Sequence, residues 1–170
     1  MLKKLFILLI AIAPIAAIAQ EAKLAYVNSQ EIFTAMPELS GIESQFSKKQ
    51  EEVKKNAEAL IAEFNKKAEE FQKSSATASD AVKQDMQKQL QQIEERYQTY
   101  QQNSQKELQE MQEKLLSPVH KKIADAIKAV GDEKGFTFIF DVATMQSPIV
   151  YVNPSTVNAT ALVKTKLGIK

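Results

Sequence analysis

Cysteine is absent from the 170 residues, histidine occurs once and glycine four times. Without cysteine neither a disulfide framework nor a lipid-anchored cysteine can form, so an exported domain must find its stability elsewhere, for instance in oligomerisation. With His120 alone, a Ser/His/Asp triad could run only through that residue, which lies beside Lys121 and Lys122 with no nucleophile motif nearby. Metal ligation would have to rest on carboxylates, and no EF-hand spacing occurs. The four glycines build no phosphate-binding loop. Neighbouring acids such as Glu94 and Glu95 point in different directions on a helix and make a poor acid/base pair. The chain is therefore read as a non-enzyme with no catalytic, cofactor-binding or metal site and no cofactor.

Charge of one sign is also missing. The chain carries 22 basic and 21 acidic residues. Residues 1 to 19 look like a secretory signal, with Lys3 and Lys4 before an apolar run and Ala17-Ile18-Ala19 closing it, so cleavage is expected after Ala19. The run is short and Pro14 interrupts it, which disfavours a transmembrane anchor. Removing Lys3 and Lys4 leaves 20 basic against 21 acidic residues, a net charge near −1. Nothing in that balance favours nucleic acid, and it lends no support to contact with an anionic membrane.

What is present is segregated along the chain. The stretch KLAYVNSQEIFTAMPE, residues 23 to 38, begins with a short strand at 23 to 27 and a helical turn opened by Asn28 and Glu31 at capping-box spacing. A long helix is expected from about Pro37, a residue suited to a first turn. Leu39, Phe46, Val53 and Leu60 recur every seven residues, with Ala57, Phe64 and Phe71 set four after that series, giving an a/d seam. The seam is poor, since Glu43, Gln50 and Lys67 also occupy it. The polar stretch KSSATASD, residues 73 to 80, can close a hairpin, and a second helix is expected over about 81 to 116. There Met86, Tyr97, Leu108 and Val119 lie eleven apart, with Leu90, Ile93, Tyr100, Met111 and Leu115 between, a period near 3.67. Eleven glutamines between Gln84 and Gln112 read as solvated helix surface. Glu51 to Lys55, Glu63 to Lys67, Glu69 to Lys73 and Glu110 to Lys114 are spaced as favourable i to i+4 pairs. Two limbs of nearly equal length, each about 55 Å at 1.5 Å per residue, indicate an antiparallel arm.

Ser117-Pro118 is expected to kink or restart the helix, because proline removes a donor and clashes with the preceding turn. An apolar face of Val119, Ile123, Ile127 and Val130 follows until Gly131 and Gly135. FTFIFD, residues 136 to 141, and SPIVYV, residues 147 to 152, are two strand candidates, and a short helix near 158 to 167 closes the chain. The expected fold is α+β. A small body of three to four strands comes from residues 20 to 37 and 117 to 170, with a helical hairpin of residues 38 to 116 inserted between its strands. Leu24, Tyr26, Val27, Phe138, Phe140, Val150 and Val152 are the expected oligomerisation residues of that body, because about seventy residues make a marginal core. On the arm, Phe46, Phe64, Phe71, Tyr97 and Tyr100 have two readings: packing of limb against limb, or partly exposed adhesive spots for apolar segments of another chain.

KLAYVNSQEIFTAMPE, the Gln/Glu/Lys-rich helical middle, and HKKIADAIKAVGDEKGFTFIFDVATMQSPIVYVNPSTVNATALVKTKLG together resemble the Skp/OmpH family of periplasmic chaperones. The end segments are the more specific part of the resemblance. It implies a homotrimer in the periplasm whose arms enclose a cavity for unfolded outer-membrane β-barrel proteins, held there without ATP. The sequence departs from better-known members in charge. Residues 45 to 75 hold seven lysines against six glutamates, so capture should depend more on apolar contacts, and no lipopolysaccharide-binding residues are carried over. The competing reading is a structural or adaptor coiled coil of the cell envelope with no holding activity. A rod of that kind should show uninterrupted apolar a/d positions, which the change of period and the polar seam positions oppose.

Overall fold

The computed structural model describes residues 22–143, 147 and 149–169. The expected signal at residues 1 to 19 lies outside them. The elements are β1 (Leu24–Val27), α1 (Ser29–Thr34), α2 (Glu38–Ser74), α3 (Asp80–Lys134), β2 (Phe138–Asp141), β3 (Val157–Asn158) and α4 (Thr160–Leu167). All three strands are parallel, in the order β2-β1-β3. Leu24 lies opposite Phe138 and Tyr26 opposite Phe140, while Ala25 and Tyr26 lie opposite Val157 and Asn158. The orphan strand at the start of the chain is thus the centre of the sheet, and the whole hairpin forms the connection from β1 to β2.

Side chains alternate across β1, so Ala25 and Val27 enter the core while Leu24 and Tyr26 face the other way. The core joins Ala25 and Val27 to Ile32 and Met36, to Val119, Ile123, Ala126 and Val130 of α3, and to Ala159 and Val163. Both ends of the chain therefore pack on the last third of α3.

Polar groups fasten the same junction. The capping box at α1 is divided: Asn28 Oδ1 accepts from the Glu31 N–H at 3.0 Å, but the Glu31 carboxylate pairs with Lys164 at 2.8 Å. The Asn28 N–H donates instead to Thr160 Oγ1 at 3.0 Å, which ties α1 to α4. At the far end of β2, the Asp141 carboxylate accepts from the Ser29 N–H at 3.1 Å and the Ala143 N–H at 3.0 Å, and also bonds the Ser29 hydroxyl. Asp141 thereby locks the end of β2 to the start of α1.

Two sequence expectations are corrected here, and two helix starts shift by one or two residues. Helix α3 runs through Pro118 to Lys134 and does not restart. Proline in a helix interior costs about 3 kcal/mol, but Val119, Ile123, Ala126 and Val130 are buried just beyond it, and burial at about 1.5–3 kcal/mol for each larger side chain outweighs that cost. The SPIVYV strand is not found among the described residues, which leave out Pro148: Ser147 and Ile149 to Val152 carry no strand, and the third strand is Val157–Asn158. Consequently the last helix starts at Thr160 rather than 158, with Asn158 Oδ1 accepting from the Thr160 N–H at 2.9 Å. Pro37, expected inside the first turn, stands just before it as the N-cap of α2.

Candidate functional site

The candidate site is a pair of surfaces: the arm and the outer face of the sheet. Among the described residues no group of three or more histidine, cysteine, aspartate or glutamate side chains could hold a metal ion, and no helix is long and apolar enough to cross a membrane.

The arm is two antiparallel limbs, α2 of 37 residues and the first part of the 55-residue α3. The limbs are about 55 Å long at the helical rise. Ser75–Ser79 closes them, with the Thr77 and Ala78 N–H groups donating to the Ser74 carbonyl at 3.0 and 2.9 Å. Contacts between limbs step outward symmetrically from that turn. Ser74 meets Met86 (3.4 Å, Oγ to Sδ), Arg96 forks onto both carboxylate oxygens of Glu63 (3.1 and 3.2 Å), and the Tyr100 hydroxyl donates to the Val53 carbonyl at 3.5 Å. Lys49 reaches Glu107 at 2.9 Å, and Lys122 closes the base on Glu38 at 2.6 Å.

Two of the four pairs expected along single helices are redirected by these contacts and by local neighbours. Glu63 goes to Arg96, with Lys67 taking Glu70, and Glu110 goes to Lys106; Glu69 and Lys73 pair as expected, while Glu51 and Lys55 form no ion pair among the described residues. The ionisation of the paired groups responds. The hydrogen bond from Lys122 holds the Glu38 carboxyl below its ordinary value, and hydrogen bonds to Glu107 and Glu52 raise the Lys49 ammonium above its own. The second oxygen of Glu38, Oε2, is buried and has no hydrogen-bond partner among the described residues.

Apolar closure of the arm is thin. No residue of α2 is buried, and on the facing limb only Ile93 and Ser104 are. The seam positions Phe46, Val53, Ala57, Leu60, Phe64 and Phe71 are half-buried, as are Met86, Tyr97, Tyr100 and Leu108 of the eleven-residue series. Of the polar seam positions, Glu43 and Gln50 are exposed and only Lys67 is half-buried. Phe64 and Tyr97 come together at one place, a notch of about 190 Å³ that they share with Leu60, Ile61, Ile93 and Glu94. Tyr100 lines a separate, wider recess of about 670 Å³ with Gln92, Glu95, Arg96, Thr99 and Asn103. Phe46 and Phe71 lie at neither. Sequence reasoning missed Ile61, which falls outside both seven-residue series yet is 43% exposed.

The second surface is the face of the sheet turned away from the core. Leu24, Tyr26, Phe138 and Phe140 share it by register, with the two phenylalanine rings stacked at 5.9 Å between centroids. Phe138 is 57% exposed, and Phe140 and Leu24 are exposed as well. Val150 is fully exposed, Tyr151 is exposed and Val152 is half-buried. Of the expected oligomerisation residues only Val27 is spent inside the chain's own core. His120, the single histidine, stacks on Phe33 with ring centroids 5.0 Å apart.

The family model for outer membrane protein (OmpH-like) matches residues 23–167. No curated protein matches the chain. In three dimensions the chain is similar to a candidate outer membrane chaperone (OmpH-like) from Caulobacter crescentus, with a TM-score of 0.71 at 16% identity, covering 85% of this chain and 83% of that one. At that identity the likeness concerns the fold. The family match, by contrast, takes in both ends of the sheet and the whole arm between them, and this chain belongs to the OmpH-like family.

Proposed function

We propose that the protein is an ATP-independent holding chaperone of the periplasm. Three copies join through their sheet faces, and unfolded outer-membrane β-barrel proteins are kept soluble between the projecting arms. The observation that carries this reading is the division of apolar surface. The arm keeps its aromatic side chains half-exposed along two long limbs, while a compact apolar face gathers on the body. A continuous apolar patch such as Leu24, Tyr26, Phe138 and Phe140 is the kind of surface that an obligate assembly covers. Scattered half-exposed rings suit a different task. Many weak contacts hold a client without a deep pocket, and their sum gives avidity while each single contact releases easily. Family membership and the likeness to the Caulobacter chaperone candidate support the same reading. Export would follow from the signal-like residues 1 to 19, and residues 20 to 37 with 117 to 170 would form the assembling body beneath an arm of residues 38 to 116. The holding reaction requires no bond to be made or broken, and no residue is assigned a catalytic role.

A structural rod would need a dry seam, and α2 buries none of its residues. The test is a pair of measurements on the protein lacking residues 1 to 19. Native mass should be that of three chains, and an unfolded outer-membrane barrel protein should stay soluble at stoichiometric amounts. A monomer that leaves the barrel protein to aggregate would overturn the reading.

A further inference from the structure

The notch at mid-arm has a size and a lining that define what it takes. We infer that the recess of Leu60, Ile61, Phe64, Ile93, Glu94 and Tyr97 is a docking point for a single large apolar or aromatic side chain flanked by a basic residue on an extended client segment. The inference rests on the holding role proposed above and names its point of contact. Its volume, about 190 Å³, is below the roughly 300–1,000 Å³ of sites that enclose a whole small molecule. By itself it is also far smaller than a subunit interface, which covers about 1,200 Å² or more. One side chain fits that space. An extended segment turns its side chains alternately to either face, so a barrel strand offers one apolar group to the notch while its neighbours stay in water.

Charge sets the preference. Glu94 is the one carboxylate in the lining, is exposed, and has no ion pair among the described residues, so a lysine or arginine two residues from the docked group, on the same face of the extended segment, meets a complementary charge. The wider recess bordered by Arg96 and Glu95 shares Leu60 with the notch but draws on other residues of α3. At 100° per residue those residues lie on the other flank of the helix, and Arg96 is already held there by Glu63. The arm is two-sided at this level, and the side of the notch, with the unpaired Glu94, is the one directed at clients.

The chain contains no tryptophan, so a peptide's own tryptophan reports binding without background. Two short serine/valine peptides are titrated, each with one central tryptophan flanked two residues away on either side by lysine in one and by glutamate in the other. The lysine-flanked peptide should show a blue-shifted emission and bind about fivefold or more tighter than the glutamate-flanked one. Ile61→Asp should weaken it about tenfold or more, and Glu94→Lys should invert the preference between the peptides. Both positions are exposed, and helicity checks the fold of each variant; Glu94→Lys, a polar exchange, decides the matter if Ile61→Asp disturbs the arm. The inference falls if wild type binds neither peptide, if both variants bind both peptides as wild type does, or if Ile61→Asp lowers the native mass, which would mean that a second copy covers the notch. Suppression of barrel-protein aggregation is measured in parallel. Its failure in the wild-type protein removes the holding role and leaves the peptide result to judge the notch alone.

Discussion

Val27 and Phe138 sit in the same small sheet and should respond to the same substitution in opposite ways. Val27 is 1% exposed beneath α3, so Val27→Asp places a carboxylate in the subunit's own core and should destabilise the body by several kcal/mol. Phe138 lies on the uncovered face, and Phe138→Asp should leave the helical content and the unfolding of a single chain intact while native mass falls to that of one chain. Circular dichroism with light scattering separates the two outcomes, and a Phe138→Asp protein of unchanged mass would remove the sheet face as the assembly surface. Glycine gives a second contrast. Gly41 is exposed inside α2 with open space where a Cβ would go, so Gly41→Ala should stabilise by about 0.5–1 kcal/mol. Gly135 caps α3 at φ 66°, in the left-handed region, and Gly135→Ala should destabilise by about 1 kcal/mol in a denaturant titration.

At the scale of elements, one ion pair closes the base of the hairpin. Lys122 lies one turn beyond Pro118 and holds the first residue of α2 through Glu38. Because the folded Glu38 carboxyl is held below its ordinary value, chiefly by the hydrogen bond from Lys122, its contribution is present above the ordinary carboxylate range and is lost as pH falls through the folded value. Both side chains remain partly exposed, so solvent screens the pair and the effect is small. The difference in thermal midpoint between wild type and Lys122→Met should therefore narrow from about pH 6 toward about pH 3; a difference independent of pH would show that Lys122 acts through packing instead. The limbs themselves were readable from sequence, because seven- and eleven-residue spacing survives averaging over ten turns, and Phe64, Tyr97 and Leu108 lie where that spacing puts them. The strands after the arm were less so. Ile149 to Val152 have high strand propensity but no partner strand among the described residues, whereas Val157–Asn158 has almost no local signal and exists because Tyr26 lies opposite it and accepts from the Ala159 N–H at 2.8 Å. Pro118 misled for a related reason: local breaking rules cannot weigh the four buried side chains that follow it. The notch was invisible to period counting, since Ile61 becomes a site residue only once Ile93 and Glu94 arrive from the other limb.

For the molecule as a whole, charge decides how a client would be caught. Seven lysines and six glutamates in residues 45 to 75, and 20 basic against 21 acidic residues beyond Lys4, produce no strong field of either sign. The limb charges are largely spent on one another as well: Lys49 is shared by Glu52 and Glu107, Lys54 pairs with Glu58, Lys73 with Glu69 and Lys106 with Glu110. Paired charges in water add little attraction at a distance, and salt screens what remains beyond about 8–10 Å. Apolar contact does not weaken with salt in that way. Affinity for an unfolded barrel protein should therefore change by less than about tenfold between about 50 mM and about 300 mM salt, with only the association rate slowing modestly. Phe64→Ala should act in the opposite manner, leaving native mass unchanged while weakening the client at every salt concentration, because it empties part of the notch and touches nothing on the body. Stopped-flow and equilibrium titrations at both salt concentrations test the two statements together. A steep salt dependence would place capture on the charged flank around Arg96, and a loss of native mass in Phe64→Ala would show that the arm, and not the sheet face alone, holds the copies together.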